Sequence, residues 1–280
     1  MFKDITISFV GSGTMAEAMI RGLIGQEIVP PEQIIAAGPR PERGEELRER
    51  HGIHVTTDNT EAVEKGQIVV LAIKPQVLTA VMPEIRGHMR RRDLLLSILA
   101  GTPIRRLADG LAHAAVVRAM PNTPAQIGQG ITVWTATPEV TDIQRQQAQA
   151  ILGSLGQEIF MDDESYLDMA TALSGTGPAY VFMFMEAMID AGVHMGFSRR
   201  VATQLVFQTM RGSVEYAAQS GLHVAELRNQ VTSPGGTTAE ALYHMEKGGL
   251  RTVLSRGIFA AYQRSIALGR GKKQAEVEVD

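Results

Sequence analysis

The run Ile5-Thr6-Ile7-Ser8-Phe9-Val10 passes without a break into Gly11-Ser12-Gly13-Thr14-Met15-Ala16. A β-branched, apolar run that ends at a glycine predicts a buried strand, and Met15 to Leu23 predicts the helix that follows it. The small residues between them are spaced GxGxxA. In that setting Gly11 permits the tight turn, Gly13 lets a pyrophosphate approach the backbone, and Ala16 keeps helix and strand close. The helix start adds free N–H groups and a positive dipole end, which brings Ser12, Thr14 and Met15 into the same candidate dinucleotide site.

The rest of the first half supports that reading. Short apolar runs at Ile34 to Ala37, Ile68 to Ala72, Leu94 to Ile98 and Ala115 to Ala119 alternate with stretches of helical length such as Arg43 to Arg50. Such runs predict a parallel sheet covered on both faces. Ile131 to Thr135 and Glu158 to Met161 read as late strands flanking a Gln-rich helix from about Thr141 to Leu152. The expectation is a doubly wound α/β, Rossmann-type domain over residues 1–161. Near Met161-Asp162-Asp163-Glu164 the pattern changes, and an all-α domain is expected over 162–280. Its segment Tyr180 to Met185 is apolar on every side, so that helix must be buried all round. Either its own bundle encloses it or a second copy of the chain does; for so small a domain the homodimer is the favoured reading. The polar residues from Gly269 to Asp280 read as a frayed end.

Composition narrows the function. With 280 residues, 44% of them hydrophobic, the chain can bury a sizeable core. Its 27 basic and 30 acidic residues give a net charge of −3, which removes the general attraction a nucleic-acid binder uses. The absence of cysteine excludes disulfides, thiolate metal sites and cysteine nucleophiles. Ala179 to Ala191 is interrupted by Glu186 and Asp190 and falls short of the roughly 20 apolar residues a membrane span needs. The N-terminal run is too short for an export signal. A cytoplasmic protein without membrane or nucleic-acid partners is expected. His51 and His54 lack a carboxylate partner, and no metal site is expected.

Two further regions bear on the cofactor. The second strand ends in Ala36-Ala37-Gly38-Pro39-Arg40, where a site for NAD usually carries Asp or Glu. Arg40, with Arg43 behind it, could face a 2′-phosphate, so NADPH is favoured and NADH remains possible. Ala72, Lys74 and Pro75 follow one strand, and Ala100 and Gly101 follow another. Both loops fall at the carboxyl edge where such sheets bind ligands.

A bound nicotinamide carries the hydride, so the protein need only position an acceptor and stabilise charge. No lysine occurs between Lys74 and Lys247, and His194, His223 and His244 have no acid motif beside them. The helical half offers instead two loops of hydroxyls and small residues, Ser174 to Pro178 and Val231 to Thr238, each opening a helix whose free amides suit a carboxylate. Thr237 with Glu240 forms a capping-box pattern that would leave Thr238 free for a ligand. A neutral hydroxyl suits reduction of an imine, whose nitrogen is already basic, better than reduction of a ketone.

Five segments carry a resemblance: Gly11 to Ala16, Ala72-Ile73-Lys74-Pro75-Gln76, Val117-Arg118-Ala119-Met120-Pro121-Asn122-Thr123-Pro124, Leu173 to Phe182, and Val231 to Thr238. Through them the chain resembles the pyrroline-5-carboxylate reductases over nearly its whole length to about Gly269. The resemblance implies a Rossmann domain, a helical domain that interlocks with a partner subunit, and NAD(P)H reduction of (S)-1-pyrroline-5-carboxylate to L-proline. It also implies rings of dimers in some members. Carried over by position, Thr238 hydrogen-bonds the ring nitrogen and the amides of Gly236, Thr237 and Thr238 hold the substrate carboxylate. Asn59 contacts the adenosine ribose, and Glu164 lies near the substrate, alongside Ser174, Thr176 and Ser233. Thr176 stands where the family often has Ser, and Gly221 where some members have an acid. Two other readings stay open. A β-hydroxyacid dehydrogenase would need a lysine that Ser174 to Ser198 lacks, and a catalytically idle relative would bind cofactor without turnover.

Overall fold

A computed structural model describes residues 1–270; the polar stretch beyond Arg270 lies outside the described residues. In chain order the nucleotide half runs β1 (Ile7–Val10), α1 (Thr14–Gly25), β2 (Ile34–Ala37), α2 (Pro41–His51), β3 (His54–Thr56) and α3 (Asn59–Lys65). It continues through β4 (Ile68–Leu71), α4 (Leu78–Ile85), β5 (Leu94–Ser97), α5 (Ile104–Leu111), β6 (Val116–Met120), β7 (Gly130–Ala136), α6 (Asp142–Gly153) and β8 (Gly156–Phe160). The helical half follows with α7 (Tyr166–Ala170), a π turn at Thr171–Gly175, α8 (Gly177–His194) and α9 (Arg199–Ser220). It ends with α10 (Val224–Gln230), α11 (Thr237–Lys247) and α12 (Leu250–Gly269).

All eight strands join one sheet in the order β3-β2-β1-β4-β5-β6-β7-β8. The first six are parallel and follow the Rossmann order, in which the order of strand addition reverses between β1 and β4. One expectation is corrected here. β7 runs antiparallel to β6, and β8 runs parallel to β7. The connection from β6 to β7, Pro121 to Gln129, holds only a short 3-10 turn and no crossover helix, so the chain can only double back.

Strand residues alternate between the two faces, and each face buries its own core. Ile7, Phe9, Ile34, Val70 and Leu96 pack with Met19, Ile20 and Leu23 of α1 and Ile151 of α6. Val10, Val69, Leu71 and Leu95 point the other way and meet Val63 of α3, Leu78 of α4 and Leu107 of α5. The loops that follow β1, β2, β4 and β5 lie at one edge of the sheet, at the carboxyl ends of these parallel strands.

The chain divides into two compact units, Met1–Gly177 with the chain from Ala260 on, and Pro178–Phe259. The division between these compact units falls after the π turn, between Gly177 and Pro178. Leu167 and Ala170 of α7 pack on Val133 of β7 with Met161 beside them, which holds the start of the helical half in the first unit. The end of α12 returns there too, with the Ser265 hydroxyl donating to Asp168 at 2.6 Å. The second unit has a small core of Ile189, Ala202 and Val206. Its apolar helix α8 is not enclosed by its own unit: Phe182 is 61% and Met183 58% exposed in the single chain. Among the described residues no helix is long and apolar enough to cross a membrane.

Candidate active site

The glycine loop is built as its residue types require. Gly11 has φ +108°, and its N–H donates to the Ala37 carbonyl at 2.9 Å. A Cβ on Gly11 would lie 2.6 Å from the Ala72 carbonyl oxygen, so this glycine lets β1 end wedged against the chain leaving β4. Gly13 is different. It caps α1 with an extended backbone and no side-chain hydrogen bond, and a Cβ there would meet no protein atom within 4 Å. Open space over Gly13, beside an uncapped helix start at Thr14 and Met15, fits a pyrophosphate. Ser12 and Ala16 are buried beneath it.

Beside this loop lies an open cavity of about 440 Å³ lined by Gly13, Thr14, Glu17, Arg40, Glu42, Arg43 and Glu46. Arg40 is the N-cap residue of α2, exposed, with no side-chain partner among the described residues. Arg43 is committed elsewhere: its Nε donates to the Ser12 carbonyl at 3.0 Å, one Nη pairs with Glu46 at 2.9 Å, and the other pairs with Glu17. Of the two arginines read as phosphate candidates, Arg40 is the free one.

Glu17 was not anticipated from the sequence. On α1 it accepts from Arg43, from Arg50 at 3.1 Å, and shares a hydrogen bond with His51 at 3.2 Å. Burial works against its charge, yet the hydrogen bonds from Arg43, His51 and Arg50 prevail and hold its carboxyl at about 2, down from 4.5. An acid in the first turn of a helix is a local signal; its three partners, all on α2, are not local. His51 thus bonds a carboxylate while His54 is exposed on β3, and the described residues hold no group of three or more metal-ligating side chains.

Ala72, Lys74 and Pro75 follow β4, Lys74 being exposed and Pro75 starting a 3-10 turn. Asn59 opens α3 and its amide donates to Glu84 at 3.1 Å. Ala100 and Gly101 follow β5; Gly101 has φ +60° and is backed by Leu268 of α12, with 2.9 Å between that Cβ and one built on the glycine.

Glu164 has a structural duty. Helix α5 starts after Pro103, which offers no side-chain acceptor, and Glu164 Oε1 accepts from the Ile104 N–H at 2.7 Å in its place. The same oxygen accepts from buried Arg118 at 2.7 Å, and Asp168 lies 3.5 Å from the other Nη. Ser174 and Thr176 spend their hydroxyl protons on the Ala170 and Thr171 carbonyls, at 2.9 and 2.8 Å, around the π turn. They can still accept a hydrogen bond.

In the helical unit the capping box is corrected. The N-cap of α11 is Gly236, and Thr237 is already inside the helix. Gly235 at φ +70° and the Gly236 N–H to Ser233 carbonyl bond turn the chain one residue earlier than the pattern implies. Glu240 pairs instead with His244 at 3.3 Å. Ser233, Thr237 and Thr238 keep hydroxyls without a partner among the described residues, and Thr238 is the half-buried one of the three.

A Rossmann sheet with an open glycine loop and a free arginine after β2 defines an NADP-dependent oxidoreductase, joined here to a helical unit with an uncovered apolar helix. Residues 6–101 match the family model described as NADP oxidoreductase, coenzyme F420-dependent, and residues 164–268 match that of pyrroline-5-carboxylate reductase dimerisation. The chain belongs to the pyrroline-5-carboxylate reductase family. It is 40% identical to the Pseudomonas aeruginosa pyrroline-5-carboxylate reductase, covering 94% of this chain and 96% of that one. Against the Synechocystis enzyme of the same name it is 38% identical, covering 95% and 99%. Among solved structures, the Plasmodium falciparum pyrroline carboxylate reductase with NADP bound superposes with a TM-score of 0.87 at 32% identity, covering 95% and 98%. The Coxiella burnetii reductase gives 0.86 at 33%, covering 97% and 100%.

Proposed function

We propose that this chain reduces (S)-1-pyrroline-5-carboxylate to L-proline with NADPH, as a homodimer through its helical unit. The observation that carries the reading is the free, half-buried Thr238 hydroxyl at the start of α11, among amides with no capping side chain. Reduced nicotinamide, when bound, supplies a hydride to the imine carbon. The chain supplies the rest. Gly236, Thr237 and Thr238 amides hold the substrate carboxylate, with Ser233 beside them. Thr238 Oγ donates to the ring nitrogen and stabilises it as it becomes an amine. Ser174 and Thr176 contribute only acceptors, and Glu164 acts by holding α5 and Arg118 in place. Arg40 meets the adenosine 2′-phosphate; the uncapped α1 start receives the pyrophosphate; Asn59, Ala72, Lys74, Pro75, Ala100 and Gly101 border the cofactor. A cytoplasmic location and assembly of dimers into rings complete the reading, supported by the cysteine-free composition and the family resemblance.

The test is steady-state turnover on this imine with proline quantified. Thr238→Ala should lower kcat about ten- to a hundredfold, as expected for a hydrogen bond to a charged partner, with NADPH affinity nearly unchanged. Thr238→Ser should retain most activity. Unchanged turnover in Thr238→Ala removes the role of that hydroxyl, and no proline from the unmodified enzyme removes the substrate.

A further inference from the structure

We infer that Glu17 is a positioning residue for cofactor selectivity, locking the pyrophosphate loop and the 2′-phosphate arginine into one frame. The inference rests on the reading of Arg40 above. The two phosphate sites stand on different elements: the pyrophosphate site on the loop and first turn of α1, the 2′-phosphate site at the N-cap of α2. Glu17 is what joins them. From α1 it takes hydrogen bonds from Arg43, Arg50 and His51, all on α2. Arg43 completes the frame by donating through Nε to the Ser12 carbonyl within the glycine loop. Side-chain exposure of Glu17 and Arg43 is only 19% and 15%, so water competes little for the pair. Gly38, just before Arg40, sits so close to Ser12 that any Cβ on it would strike the Ser12 hydroxyl. The two loops are thus packed as well as bonded.

NADPH must occupy both sites at once and gains from their fixed spacing, whereas NADH engages only the first. Loosening the frame therefore penalises NADPH selectively. Simple charge counting predicts the opposite: removing an anion from the cavity wall should draw a phosphate in, all the more with Arg43 released. The sign of the effect separates the two accounts.

The experiment is calorimetric titration of Glu17→Gln with NADPH, NADH, 2′,5′-ADP and 5′-AMP. Expected are Kd values for NADPH and 2′,5′-ADP raised about tenfold, the scale of re-ordering one or two long side chains, with NADH and 5′-AMP within about twofold. Tighter NADPH binding, or equal weakening of all four ligands, overturns the inference. Should Glu17→Gln fail to fold, Arg43→Lys serves: it keeps the charge but loses the planar fork, so it should reproduce the selective loss, and parental selectivity would overturn the inference. Arg40→Ala is titrated alongside. If it weakens NADPH and NADH equally, the Arg40 reading fails on its own, independently of Glu17.

Discussion

The two glycines of the fingerprint can be told apart by replacing each with alanine. At Gly11 the added Cβ would lie 2.6 and 2.7 Å from the Ala72 carbonyl oxygen and carbon and 2.9 Å from the Ile73 nitrogen, all of them backbone. The backbone there, at φ +108°, is also one that L-residues rarely adopt. Positive φ costs about 1–2 kcal/mol for a residue with a Cβ. Overpacking against a strand end costs about 1–3 kcal/mol more. Together these give about 2–5 kcal/mol, a fall in melting temperature of roughly 4–20 °C for a unit of this size. At Gly13 the backbone is extended and the Cβ meets nothing, so Gly13→Ala should lose less than about 1 kcal/mol of stability, through a weaker helix cap. That methyl group would, however, stand where the pyrophosphate approaches. The same 1–3 kcal/mol of crowding then appears as about a five- to 150-fold loss of NADPH affinity. Melting curves without cofactor, paired with NADPH titrations, read both quantities. Equal melting of the two variants, or parental NADPH affinity in Gly13→Ala, would refute the reasoning.

Three further outcomes are expected. Glu17 has a depressed pKa, so its contribution to stability is fully present above its unfolded value of 4.5 and disappears as pH falls toward about 2. The parent should therefore lose stability between pH 4.5 and 2 more steeply than Glu17→Gln in acid-titrated denaturant unfolding, and parallel curves would count against the ion-pair cluster. Arg118→Ala removes a buried guanidinium and strands Glu164 and Asp168; a loss of about 3 kcal/mol is expected, discounted from the top of the buried-pair range because Glu164 is partly exposed. A loss below about 1 kcal/mol in urea unfolding would show that these carboxylates do not depend on it. Phe182→Asp places a charge on the uncovered face of α8 and should shift the dimer toward monomer in light scattering, whereas an unchanged mass would put the interface elsewhere.

What could be read from the sequence follows the range of the interactions involved. β1, its glycine turn and α1 are specified by neighbours within a few residues, and the central strands by continuous apolar runs such as Leu94 to Ser97. The Thr141 cap with Gln144 is likewise local. β3 escaped because His54-Val55-Thr56 is only three residues long and lies at the sheet edge, where burial leaves little pattern. The capping box at Thr237 misled because the decisive bond is made upstream, at Ser233 and Gly236. In the glycine loop, the tight turn at Gly11 and the open approach at Gly13 were legible by spacing. The pairings of Glu17 and Arg118 were not, since their partners lie 26 and 46 residues away and nothing local marks them.

The return of α12 to the nucleotide-binding unit has a consequence for biogenesis. Leu268 backs Gly101, and Ser265 bonds Asp168, which lies beside Arg118. A chain emerging from the ribosome therefore completes β1 to β8 long before the segment that finishes their unit exists. Until α12 is made, the Gly101 turn has no backing and Asp168 lacks its hydroxyl partner. Nascent chains should be most open to proteolysis near Gly101 during that interval, and the sheet, though assembled early, should gain these last contacts only once α12 has emerged.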